Sequence, residues 1–197
     1  MSKTKVQNAE PGSLYPLRNV PELSEIVKRA LLRIRDLANC EAAGIRLKNN
    51  EDYPYLETIG FPPEFLEEEK YLQIRKPEGN PVYDHQGNVV LKGLCGRVIQ
   101  GIVDPGSPFF TRQGSFWMNS ASSSLISVFA GTPGPGFCRC YTDGYGSMAI
   151  IPLTYGPENI GLLQVNDFHP GRLDNESITR LEKLAIQLSS EFAPFFT

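Results

Sequence analysis

The chain of 197 residues has no apolar run approaching the ~18 residues that a membrane helix requires. Its opening, "MSKTKVQNAEPGSLYPL", carries charge but no apolar core, so it does not read as a secretory signal. Positive charge is not in excess. Nineteen Lys and Arg stand against 22 Asp and Glu, for a net charge of −3, and nothing global points to nucleic acid or an anionic membrane as partner. The four cysteines contain no CxxC pair, which weakens a zinc-knuckle reading. "DGYG" has glycines without the spacing of a phosphate loop. No internal repeat and no clear second domain are visible. These absences lead to the expectation of a cytoplasmic, single-domain chain whose cysteines are free thiols, metal ligands or redox groups rather than structural disulfides.

What is present gives a legible order of elements. "PELSEIVKRALLRIRDLANC" places Leu23, Ile26, Val27, Ala30, Leu31, Ile34 and Leu37 on one stripe of an amphipathic helix, with Pro21 near its start. "AAGIRLK" (42–48) and "YPYLETIGF" read as a hairpin across "NNED". "PPEFLEEEK" reads as a short helical turn with Glu67 to Glu69 as a solvated face. "PVYDHQGNVVLKG" suggests a second hairpin, because Gly87 and Asn88 tolerate positive φ. From "LCGRVIQG" to "SSSLISVFAG" two short helical pieces flank an aromatic stretch, and "TPGPG" is a loop. Residues 145–154 and 159–167 form strands across "TYGPEN". A last helix follows, with Asp174 as N-cap, Leu173 and Ile178 as a hydrophobic staple, and a stripe of Ile178, Leu181, Leu184, Ala185, Leu188 and Phe192.

This order predicts an α+β fold, an antiparallel sheet with both terminal helices on one face. Alternation along the strands then assigns sides. Ile45, Leu47, Leu163 and Val165 should lie under the helices, and Arg46, Gln164 and Asn166 should share the opposite face beneath the irregular middle segment. A guanidinium and two carboxamides under a loop-rich lid suit a ligand pocket; the bland alternative is an Arg46–carboxylate pair with both amides capping loops. Tyr53, Tyr55 and Tyr145 could address a ligand or only satisfy carbonyls. His85 and His169 are expected in solvent. Trp117 and its phenylalanine neighbours could line a pocket wall or pack as core.

Four segments, "CEAAGIRLKNNEDYPYLETIGFPPEFLEEE", "LCGRVIQG", "PFFTRQGSFWMNS" and "GYGSMAIIPL…IGLLQVND", together resemble a GAF domain, in particular the GAF sensor domains of bacterial and archaeal sensor histidine kinases. The resemblance divides the chain into an extension, 1–19, and a single GAF domain, 20–197. It implies a central antiparallel sheet, terminal helices that mediate a homodimer, and a small-molecule pocket under a lid. It also implies a signalling role exerted through a separate partner protein. The candidate ligand-binding residues are Arg46, Tyr55, Trp117, Asn119, Met148, Gln164 and Asn166.

The cysteines leave three readings open. Cys40, Cys95, Cys138 and Cys140 can pack as small apolar residues. Cys95, Cys138 and Cys140 can instead hold a metal, an iron–sulfur cluster or haem, since similar GAF sensors carry haem. The third reading is a thiol enzyme resembling the free methionine-(R)-sulfoxide reductases, which are stand-alone GAF proteins. Cys95 in "LCG" and Cys140 would then be the thiols, with Arg97 or Arg139 nearby. That family places acidic residues where this chain has Met148, Gln164 and Asn166, and amides cannot act as general acid or base near neutral pH. The reading that follows is a sensory ligand-binding module rather than an enzyme.

Overall fold

In a computed structural model, residues 21–104, 106–120 and 139–196 are described. The 1–19 extension, "SSSLISVFAG", "TPGPG" and Cys138 lie outside the described residues.

The first and last helices form where the apolar spacing places them. α1 (Pro21–Ala38) buries Leu23, Val27, Ala30, Leu31, Ile34 and Ala38. The last helix, α5 (Asn175–Phe192), starts at Asp174, whose side chain accepts from Ser177 N while Ser177 Oγ accepts from Asp174 N, a reciprocal cap. Leu173 and Ile178 are both buried in the same cluster, so the staple is present. Between these helices lie β1 (Ala42–Leu47), β2 (Tyr55–Ile59), α2 (Pro63–Glu68), α3 (Gly93–Ile99), β3 (Phe116–Met118), α4 (Arg139–Thr142), β4 (Ser147–Tyr155) and β5 (Glu158–Asp167).

The strands make one antiparallel sheet in the order β2-β1-β5-β4-β3. Its two faces are packed differently. Ile45, Leu47, Leu163 and Val165 lie in a cluster with α1 and α5, as alternation requires. Each such side chain contributes ~1.5–3 kcal/mol relative to exposure. Ala42, Tyr55, Met148, Ile150 and Leu162 face the other way, into a second cluster with α2, α3 and α4.

Two expectations are corrected. The aromatic stretch contains a strand: Phe116, Trp117 and Met118 pair with Ile150, Ala149 and Met148. Three residues are too few for periodicity to disclose. The "DHQGN" hairpin exists as isolated bridges rather than full strands, with Tyr83 against Val89, and only Gly87 there takes positive φ (84°). Among the described residues no helix is long and apolar enough to cross a membrane.

Candidate functional site

The face away from the terminal helices carries a buried polar cluster built from β1, β2 and β5. Its first member follows from alternation: Arg46 lies between Ile45 and Leu47, turns to this face and is fully buried. Nη1 donates to Tyr53 O at 2.9 Å and Nη2 to Glu69 O at 2.6 Å. The Glu69 carboxylate lies 3.6 Å from Nη2, and the guanidinium stacks 3.6 Å over the Tyr55 ring. Burial opposes the charge, but Tyr55, Cys95 and Glu69 outweigh it and hold the guanidinium pKa above its ordinary value. Glu69, expected on a solvated face, instead joins Arg46 to Lys92, whose Nζ lies 3.5 Å from Glu69 Oε1.

Gly44 makes the next contact possible. A Cβ there would fall 2.7 Å from Tyr55 Cε1 and 3.3 Å from Phe61 Cε2, so only glycine lets the Tyr55 ring lie across β1. Tyr55 thereby reaches Gln164, which faces Gly44 in the β1–β5 register. Its hydroxyl donates to Gln164 Oε1 at 2.8 Å. Burial pushes the Tyr55 hydroxyl well above its ordinary pKa, which keeps it a donor.

Gln164 is the hub. Oε1 also receives Cys95 Sγ at 3.6 Å, and Nε2 donates to Cys140 Sγ at 3.1 Å and to Asn166 Oδ1 at 2.9 Å. The structure therefore brings together Arg46, Tyr55, Gln164, Asn166, Cys95 and Cys140 on one face. Met148 is fully buried beside them, opposite Asn166. Two buried donors of this cluster have no hydrogen-bond partner among the described residues, Arg46 Nε and Asn166 Nδ2. The Tyr145 hydroxyl is a third unpartnered group; its ring stacks on Phe168 and meets Phe61 and Phe65 edge-on.

Other expected ligand residues lie elsewhere. Trp117 packs on the helix-side cluster, because Phe116 and Met118 take the lid side of β3 and the residue between them must take the other. Asn119 anchors the approach to α5: Leu173 N donates to its Oδ1 at 2.9 Å and its Nδ2 donates to Leu173 O. Both histidines are exposed. Phe61, Phe65 and Glu69 were missed as site residues. The glycine inside a strand at 44 was the one signal that a ring crosses there.

Of the expected metal set, Cys95 and Cys140 are both engaged by Gln164 and burial pushes the Cys95 thiol up to about 12, while Cys138 lies outside the described residues. Cys40 packs beneath α1 and α5, with its thiol likewise raised by burial to about 12. Among the described residues, Glu41, Asp167 and His169 do converge. Asp167 is already committed there: Oδ1 accepts from His169 N at 2.8 Å, and Oδ2 accepts from Glu41 N at 3.2 Å and lies 3.4 Å from Arg172 Nε. Burial would raise its pKa, but these bonds and Arg172 bring it below the ordinary carboxylate value.

No family model and no curated protein matches the chain. Solved structures do. A GAF domain/HD domain protein from Geobacter sulfurreducens aligns with a TM-score of 0.59 at 13% identity, over 88% of this chain and 94% of that one. The GAF domain of a phosphoenolpyruvate-protein phosphotransferase from Coxiella burnetii aligns at 0.58 and 17%, over 89% and 84%. A type II free methionine-R-sulfoxide reductase from Thermoplasma acidophilum aligns at 0.53 and 13%, over 88% and 96%. Likeness at these identities establishes the fold, an α+β GAF fold, and leaves activity to be argued from the site.

Proposed function

We propose that this chain with the GAF fold is a small-molecule-binding sensory module, acting in signal transduction through a separate partner. The observation that carries the reading is the pair of buried, unpartnered donors on the lid face, Arg46 Nε and Asn166 Nδ2. An unsatisfied buried polar group costs ~1–3 kcal/mol, and a bound acceptor atom removes that cost. The ligand class is therefore a small molecule bearing carboxylate, carbonyl or sulfoxide oxygens. Entry requires Tyr55 and Gln164 to yield, because they now fill the face.

The same two strands supply the output. β1 and β5 carry Arg46, Gln164 and Asn166 on the lid side and Ile45, Leu47, Leu163 and Val165 against α1 and α5 on the other. A ligand that favours one strand arrangement shifts the population of helix arrangements with it.

A second reading, thiol chemistry on a sulfoxide, has the convergence of Cys95 and Cys140 on one amide in its favour. Against it stand the raised Cys95 pKa and the lack of a carboxylate at Met148, Gln164 and Asn166.

Thermal unfolding with a panel of small carboxylates, amino acids and sulfoxides tests the proposal. At least one compound should raise the midpoint in the wild type and not in Asn166→Leu. Stabilisation that persists in Asn166→Leu would place the ligand elsewhere, and turnover of a sulfoxide that Cys140→Ser abolishes would favour the enzyme.

A further inference from the structure

The lid-face cluster carries more positive charge than negative. Arg46 Nη2 lies 3.6 Å from Glu69 Oε2, and Lys92 Nζ lies 3.5 Å from Glu69 Oε1, so a single carboxylate serves two cations. Glu68 and Asp143 do not redress the balance, because Arg139 holds both. Nor does the sheet. Tyr55, Met148, Gln164 and Asn166 face the cluster beside Arg46, and none of them supplies a negative charge, since burial keeps the Tyr55 hydroxyl protonated. The Cys95 thiol, pushed up to about 12 by burial, stays neutral as well.

This balance sorts ligands by charge. Arg46 is fully buried, and a buried charge that shares its counter-ion is relieved by an anion in a way that a neutral molecule cannot match. The unpartnered atoms agree: Arg46 Nε and Asn166 Nδ2 can each donate a hydrogen bond and neither can accept one. An ammonium meets the reverse condition. Among the described residues that bond to Arg46, Gln164 or Asn166, Glu69 is the one carboxylate, and it already has two cations. An ammonium placed there would be desolvated without a partner.

The same face indicates the rest of the ligand. Tyr55, Phe61, Tyr145 and Phe168 form a chain of ring contacts, with centroids 5.8, 6.2 and 4.3 Å apart in turn. The chain starts at Tyr55, on which the Arg46 guanidinium stacks, and ends at Phe168, two residues beyond Asn166 and 47% exposed. A wall of rings that runs from the buried cation to the surface suits an apolar body.

We propose that the ligand is a small monocarboxylate with an apolar body and no ammonium group, its oxygens taken by Arg46 Nε and Asn166 Nδ2 and its body laid along the Tyr55–Phe168 rings. This rests on the reading of the lid face as the ligand site. Matched probes test it, with binding followed by the Asn166 side-chain amide signal in the full chain. They are hexanoate against norleucine, and 3-phenylpropionate against phenylalanine and 3-phenylpropanamide. Each carboxylate should bind at least tenfold more tightly than the amino acid of the same skeleton, and 3-phenylpropionate at least tenfold more tightly than its amide. Lys92→Gln should shrink the advantage of 3-phenylpropionate over the amide at least threefold, an effect that a purely structural lysine would not have. If an amino acid or the amide shifts the Asn166 signal at least as tightly as its carboxylate, the ligand class is overturned and the lid face stands as the site. If none of the five compounds shifts that signal, the class and the site fall together.

Discussion

Tyr55 reaches over Gly44 and donates its hydroxyl to Gln164 Oε1, so that one 2.8 Å hydrogen bond ties β2 to β5 across the strand between them. The bond joins the two halves of the lid-face cluster. Arg46 stacks on the same ring, and both described thiols of the cluster meet the same amide.

Tyr55→Phe removes the donor and leaves the ring. Gln164 Oε1 keeps Cys95, so the expected loss is about 1 kcal/mol. Thermal denaturation should show a midpoint lower by ~2–4 °C for a domain of this size. An unchanged midpoint would mean that the hydroxyl contributes nothing to the fold.

Gly44→Ala puts a methyl against Tyr55 Cε1 and should cost ~1–3 kcal/mol by overpacking. The two positions should couple. In a Tyr55→Leu background the same substitution should cost clearly less, which a double-mutant cycle in urea measures.

Arg46 holds two backbone carbonyls and faces the Glu69 carboxylate. Arg46→Met leaves both carbonyls unpaired and the Glu69 carboxylate with Lys92 as its remaining cation, and an expected ~2–4 kcal/mol is lost in urea denaturation. Arg46→Lys should not rescue it, because an ammonium cannot serve both carbonyls and stack on Tyr55. Arg46 variants therefore report on the fold as well as on a ligand, and Asn166 is the cleaner probe.

Stability should fall in alkali. Burial raises the Cys40 and Cys95 thiols from 9.0 to about 12, so in the native state both stay protonated where the unfolded chain has lost its protons. Their contribution is complete below pH 9 and is lost as pH rises toward 12, since the unfolded state binds fewer protons in that window. Urea midpoints measured from pH 8 to pH 11 should decline, and Cys40→Ala with Cys95→Ala should flatten the decline. A flat wild-type profile would contradict the burial of both thiols.

Strong periodicity made the frame legible in the sequence. The stripes of α1 and α5, the Leu173–Ile178 staple and the sidedness of Ile45, Arg46 and Gln164 follow from spacing alone. The three residues of β3 were too short for that signal, and the side of Trp117 went astray with them. The hub was half legible. Alternation put Gln164 and Asn166 beside Arg46, but that the protein itself fills the face depends on Gly44 and on the Glu69 carbonyl, whose position the α2 turn sets. Distances in space between segments far apart in the chain, such as Cys95 and Cys140, carry no local pattern to read.

The most direct test of the central claim is an NMR titration that follows the side-chain signals of Asn166 Nδ2 and Arg46 Nε in the full chain. The titrants are small carboxylates, amino acids and sulfoxides. The account predicts that at least one compound shifts both signals together and saturably. If every compound that binds leaves both signals in place, the lid face of the sheet is not the ligand site.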